Sequence, residues 1–122
     1  MCPRAIHLQS GESAESLAWA FLEKRGFKLI QKNFRTKAGE IDLIMKQKSC
    51  LVFIEVRYRK NQDFGGAAAS ITASKQTRIR KTAQIFLQQN PGLDYKECRF
   101  DVIAISGIGD NTEIQWIDNA FQ

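Results

Sequence analysis

Glu40-Ile41-Asp42-Leu43-Ile44-Met45, Lys46-Gln47-Lys48-Ser49 and Leu51-Val52-Phe53-Ile54-Glu55-Val56-Arg57-Tyr58 are the residues whose reading decides the fold. The first run alternates polar and apolar side chains at its start, the last is rich in β-branched and aromatic residues, and the polar residues between them suit a hairpin connection. Side chains alternate faces along a strand. Glu40 and Asp42 therefore share one face while Ile41, Leu43 and Met45 share the other, and Glu55 and Arg57 lie opposite Val52, Ile54 and Val56. A connection with an even number of residues, either Lys48-Ser49 alone or Gln47 to Cys50, puts position 42 opposite 55 and 40 opposite 57. It also keeps the two apolar sets on one face, which an odd loop would not.

That register sets Asp42 against Glu55 with Cβ atoms about 5 Å apart, and like charges directly opposed are destabilising. Two arrangements would offset the repulsion. A hard divalent cation does so through carboxylate oxygens, and Mg²⁺ takes one or two of them while keeping other positions for water and phosphate. The alternative is an internal ion-pair network in which Arg57 and Glu40 neutralise the cluster.

Upstream, Ala14, Leu17, Ala18, Phe21 and Leu22 recur at the spacing of one helical face between Ser10 and Arg25, and Gly26 ends the helix. Glu15 falls inside the apolar arc, so a carboxylate is aimed at the sheet, unless its stem merely covers apolar surface while its head reaches water. Phe27 to Arg35 reads as a strand with an irregular start, and Thr36-Lys37-Ala38-Gly39 breaks it before the hairpin.

Downstream, the small-residue loop 61–70 is expected to be mobile. A second helix runs from about Thr72 to Gln89 with Ile79, Ala83, Phe86 and Leu87 as its buried stripe, stopped by Asn90-Pro91-Gly92. Lys75 lies one turn before Ile79 on that stripe and can reach the sheet, or it is a solvated first-turn lysine. Lys75, Arg78, Arg80 and Lys81, with Arg57, Arg59 and Lys60 nearby in sequence, form a candidate footprint for nucleic-acid phosphates; the alternative is a wet helix face. Arg99 to Ile105 is a further strand and Glu113 to Ile117 an edge strand paired with it. Trp116 and Phe121 on that last strand are read as buried packing or as a contact patch.

The order is α-β-β-β-α-β-β: an α/β fold with a mixed sheet of four to five strands carrying helices, the second helix crossing over between parallel neighbours. With 122 residues there is one domain, 1–122, in which residues 1–10 are expected to form a flexible amino-terminal segment. A composition of 43% hydrophobic and 25% charged residues excludes a disordered or fibrous chain. Cys2, Cys50 and Cys98 are odd in number and far apart, so they are read as free thiols. The only histidine, His7, is too near an end for a Ser-His-Asp triad. No apolar stretch approaches a membrane span and no secretory segment is evident, which makes the cytoplasm the expected location. The net charge of +5 points to an anionic partner.

Gly11-x-x-x-Glu15-x-x-Ala18, Gly39-Glu40-Ile41-Asp42-Leu43-Ile44, Val52-Phe53-Ile54-Glu55-Val56-Arg57-x-Arg59, Ile71-x-x-x-Lys75 and Arg99-Phe100-Asp101-Val102-Ile103 together resemble the YraN-like family of small bacterial predicted endonucleases. That family is similar to the restriction-endonuclease-like PD-(D/E)XK superfamily, near the archaeal Holliday-junction resolvases. The resemblance implies a restriction-endonuclease-like core and a Mg²⁺-dependent endonuclease, with Mn²⁺ as a substitute, acting on DNA that is branched, single-stranded or otherwise structured. It implies Asp42 as the metal-binding Asp, Glu55 as the acid of the D/E-x-K element and Glu15 as the extra helical acid of some branches.

Arg57 falls where the superfamily usually has its catalytic lysine. Arginine stays protonated and cannot act as a general base, though it can stabilise charge on a phosphate, with Lys75 as a second cation. Three functions follow: an enzyme with Asp42, Glu55, Glu15, Arg57 and Lys75 as its site, a non-cleaving nucleic-acid-binding module of the same fold, or a protein-interaction domain. Junction-type substrates would favour a homodimer.

Overall fold

The computed structural model describes residues 11–59, 71–107 and 109–122. The expectations for residues 1–10, with Cys2 and His7, for Lys60 and for the loop 61–70 lie outside the described residues. The elements in chain order are α1 (Gly11–Glu23), β1 (Lys28–Arg35), β2 (Glu40–Gln47), β3 (Cys50–Arg59), α2 (Ala73–Gln89), β4 (Glu97–Ser106), a 3₁₀ turn (Gly109–Asn111) and β5 (Glu113–Phe121). The five strands form one sheet in sequence order. β3 and β4 are parallel with α2 between them in the chain, and the other neighbours are antiparallel.

Helix α1 ends as its sequence requires. Gly26 adopts φ +91°, and Phe27 donates its amide to the Leu22 carbonyl at 3.2 Å. Thr72 caps α2, its hydroxyl accepting from the Lys75 amide at 3.1 Å. The hairpin register is the even-loop one: Leu43 pairs with Ile54, Met45 with Val52 and Gln47 with Cys50, around a Lys48-Ser49 turn in which Lys48 has φ +56°.

The two helices cover opposite faces. Ala14, Ala18 and Leu22 of α1 bury Leu43, Met45, Val52, Ile54, Ile103 and Ile105. Ile79, Ala83 and Phe86 of α2 bury Phe34, Ile41, Ile44, Leu51 and Phe53. Ile41 is therefore on the α2 face, not beside Leu43 and Met45 as strict alternation predicts. The cause lies at Asn33, which faces Asp42 across the β1–β2 ladder and takes a left-handed φ of 54°. The pleat is broken there, so Ile41 joins Ile44, three residues on, in the same core.

β5 is longer than its sequence suggests, reaching Phe121, and it bulges opposite Phe100 and Val102. Trp116 packs edge-on against Phe27 and Phe121 stacks on Phe100, so both serve packing. The β4–β5 pairing is pinned by Asp101, which is fully buried. It accepts from Arg99 at 3.0 and 3.3 Å, from Trp116 Nε1 at 2.9 Å and from the Asn119 amide at 2.9 Å. Cys50 is buried, Cys98 is exposed, and both are free thiols. Among the described residues no helix is long and apolar enough to cross a membrane.

Candidate active site

The β2–β3 ladder stops at Leu43 and Ile54, one residue short of the expected Asp42–Glu55 pair. Beyond that point the Val56 amide donates to Asp42 Oδ2 at 2.8 Å, so a side-chain carboxylate takes the place of a strand carbonyl. Glu15, reaching down from α1, brings its carboxyl beside Asp42 and Asn33, which both act on its ionisation. Burial first, then the charge of Glu55, push Asp42 from 3.8 up to about 8, with Glu15 and Glu40 adding to the effect against the Val56 hydrogen bond. Glu15 is itself raised by burial, while its hydrogen bond to Asp42 acts in the opposite direction. Burial and the Glu55 charge thus favour the protonated form of Asp42 at neutral pH.

Glu55 has different company. It is buried, at 7% exposure, and Lys75 Nζ stands 2.8 Å from its Oε2 while Arg57 Nη1 lies 3.5 Å away. Lys75 reaches the sheet as its place on the α2 stripe predicts. The alternative network of Arg57 with Glu40 takes another form: Arg35 on the neighbouring strand holds Glu40 at 3.0 Å, and Arg57 lies 3.5 Å from Glu55 on its own strand. Two cations thus stand on Glu55, while burial and the Glu55 charge favour the neutral form of Asp42.

Gly39 sets how closely α2 approaches. A Cβ there would meet Thr82 Oγ1 at 3.1 Å and Arg78 Cβ at 3.3 Å, so glycine lets the helix settle over the start of β2. The helix separates its own cations. Arg78 lies against Gly39 on the acid side, whereas Arg80 donates to the Gln122 carbonyl at 3.3 Å, toward β5. Lys81 is exposed about 60° from Arg78 around the helix axis, at ~100° per residue. Arg59 is exposed at the end of β3, with its carbonyl held by the Gly107 amide. Glu15, Asp42, Glu55, Arg57 and Lys75 come together; Arg80 does not join them.

Asn33 and the Val56 amide escape a reading by motif. Asn33 carries one usable signal, being a residue that tolerates positive φ inside a strand otherwise written in Lys, Leu, Ile, Gln, Phe and Arg. As a test of fit for a divalent cation, the donor set is made of hard carboxylate oxygens, and burial with the charge of Glu55 raises the Asp42 carboxyl to about 8. Among the described residues no group of three or more His, Cys, Asp or Glu closes into a cage. The chemistry therefore suits a cation that binds one or two carboxylates and retains water, such as Mg²⁺.

A small α/β domain with a carboxylate cluster where a hairpin opens, flanked by a lysine and an arginine, is the class that fold and site define. Residues 14–105 match the model of the family described as "Uncharacterised protein family UPF0102". The chain is 47% identical to a UPF0102 protein of Nitrosococcus oceani over 97% of its own length and 95% of the relative's. It is 51% identical to one of Nitrosomonas europaea over 91% and 92% of the two chains, and 49% identical to one of Saccharophagus degradans over 96% of each. The chain belongs to the UPF0102 family, which bears out the resemblance to the YraN-like proteins at the level of the family.

Proposed function

We propose that this chain is a Mg²⁺-dependent endonuclease of the PD-(D/E)XK kind that hydrolyses phosphodiester bonds in DNA, with branched or otherwise structured DNA as the candidate substrate. The observation that carries this reading is the convergence of Asp42 and Glu55 at the end of the β2–β3 ladder, with Glu15 behind Asp42 and Lys75 and Arg57 beside Glu55. Asp42 and Glu55 would hold the metal, and Glu15 would orient Asp42. A bound Mg²⁺ would polarise a phosphoryl oxygen and acidify a water.

The protein's own groups have distinct tasks. Arg57 and Lys75 are pre-positioned cations on the site's rim, able to stabilise the negative charge that builds on a phosphate under attack. Arg57 presents a planar fork suited to two phosphate oxygens, and Lys75 a point charge. Neither is placed as a base: arginine stays protonated, and the Lys75 amine is engaged by Glu55 at 2.8 Å.

One observation favours a second reading, that of a nucleic-acid-binding module of the same fold that does not cut. Glu55 already has two cationic partners, and the position expected of a catalytic lysine holds Arg57. Nicking of a labelled four-way junction, flap or plasmid separates the two. Cleavage that needs Mg²⁺ or Mn²⁺ and disappears in Asp42→Asn and Glu55→Gln supports the enzyme. Salt-sensitive binding that survives both substitutions, with no cleavage at any metal concentration, supports the module.

A further inference from the structure

Between Lys24 and Lys48 the chain carries eight Lys and Arg against two Asp and Glu, so this stretch alone bears +6, more than the +5 of the whole molecule. Its cations are not spread evenly. Lys28 and Lys46 are direct cross-strand partners on β1 and β2, and Lys48 follows in the hairpin turn. The three line a groove of about 450 Å³ with Leu29 and Ile30. Ile30 is the one exposed large hydrophobic side chain among the described residues. None of the three lysines has an ion-pair partner among the described residues. Like charges set directly opposite across a ladder destabilise it, so folding alone does not favour this arrangement.

Lysines on an edge strand discourage edge-to-edge pairing, which accounts for Lys28 on β1. It does not account for Lys46, whose strand is paired on both sides, or for Lys48 in the turn. The unmatched charge calls for an anion with regularly spaced negative groups. Four residues along β2 separate Asp42 from Lys46, about 13 Å at ~3.3 Å per residue. That is about four steps of a nucleic-acid duplex at ~3.4 Å each.

We infer that Lys28, Lys46 and Lys48 form a second contact surface for the phosphate backbone of DNA, which continues past the carboxylate cluster along the β1–β2 hairpin. The inference rests on the proposed nucleic-acid function and extends it to a surface distinct from α2. Ile30 gives the groove an apolar floor against which a sugar or base can pack.

The test is fluorescence anisotropy of a labelled 20-base-pair DNA duplex, with salt titrated from 50 to 200 mM, for the wild type and for Lys28→Ala/Lys46→Ala/Lys48→Ala. Three lost phosphate contacts at ~0.9 each lower the log–log salt slope by about 2.7. The wild type then loses about 40-fold more affinity than the variant across that range. A thermal melt of the variant at or above the wild-type midpoint is expected, since the substitutions relieve repulsion, and it shows that any binding loss is not unfolding.

An unchanged slope and affinity in a folded variant overturns this surface and leaves the proposed site intact. Salt-sensitive binding that the triple substitution weakens, in a protein that never cleaves, upholds the surface while refuting hydrolysis. A wild type that binds neither duplex nor single strand at 50 mM salt overturns both.

Discussion

Lys75 Nζ lies 2.8 Å from Glu55 Oε2, although Lys75 is in the first turn of α2, where the helix dipole disfavours a cation. No acid occupies that turn to compensate, so the buried Glu55 carboxylate holds the ammonium in place. Lys75→Met leaves Glu55 with Arg57 as its remaining ion-pair partner among the described residues. It should cost about 1–2 kcal/mol, between the values for exposed and buried pairs, because the Lys75 side chain is 32% exposed. Lys75→Arg should recover most of the loss. Urea unfolding of the three proteins at pH 7 checks this, and equal midpoints would show that the pair contributes nothing.

Asp42 gives the metal-free protein an inverted pH dependence. Its folded value of about 8 lies above its ordinary 3.8, so between those limits the unfolded chain has released a proton that the folded chain retains. Stability therefore falls as pH rises through that window, by at most about 1.4 kcal/mol per unit from this group. Asp42→Asn can still accept from Val56 without ionising. It should match the wild type near pH 4 and unfold at a higher temperature at pH 8 in the presence of EDTA. Parallel melting curves across the range would contradict the assignment.

A divalent cation should reverse this penalty. Mg²⁺ at ten times its dissociation constant adds about 1.4 kcal/mol to a protein that binds it only when folded. Because the carboxyl at Asp42 must lose its proton to bind metal, about one proton should be released per site at pH 7. Calorimetry in buffers of different ionisation enthalpy measures that number. Neither the thermal shift nor the proton release should occur in Asp42→Asn.

Asp101 is a fully buried aspartate on β4 whose role is structural. Four hydrogen bonds from Arg99, Trp116 and the Asn119 amide satisfy it. Asp101→Ala strands the Arg99 guanidinium and two other donors, Trp116 Nε1 and the Asn119 amide, at a cost of about 3–5 kcal/mol. Denaturant unfolding followed by Trp fluorescence would report it directly, since Trp116 is one of those donors.

The hairpin register was legible because period-two patterning and an even loop agree, and a slip of one residue would have carried Val52 and Ile54 from the α1 core to the α2 core. The same rule failed at Ile41, since alternation presumes an unbroken pleat and Asn33 breaks it from the neighbouring strand, out of reach of any pattern within β2. Glu15 and Lys75 were readable from helical spacing, which fixes direction as well as burial. Which cation meets which acid was not, because Arg35 sits on a strand whose pairing partners the β2–β3 reading did not include. Asp101 stood within a quoted motif, yet its partners Trp116 and Asn119 are brought to it by a bulge that the composition of β5 does not announce. The concentration of charge in residues 24–48 was countable from the start and was hidden by averaging over the chain.

The amide of Val56 points at Asp42 instead of a neighbouring strand, and this makes one backbone proton a resident indicator of the site's charge. Its nitrogen and proton resonances should travel with the ionisation of that single carboxyl, and should jump when an ion displaces the acid hydrogen. A spectroscopist could thus titrate the centre of the molecule by watching a valine.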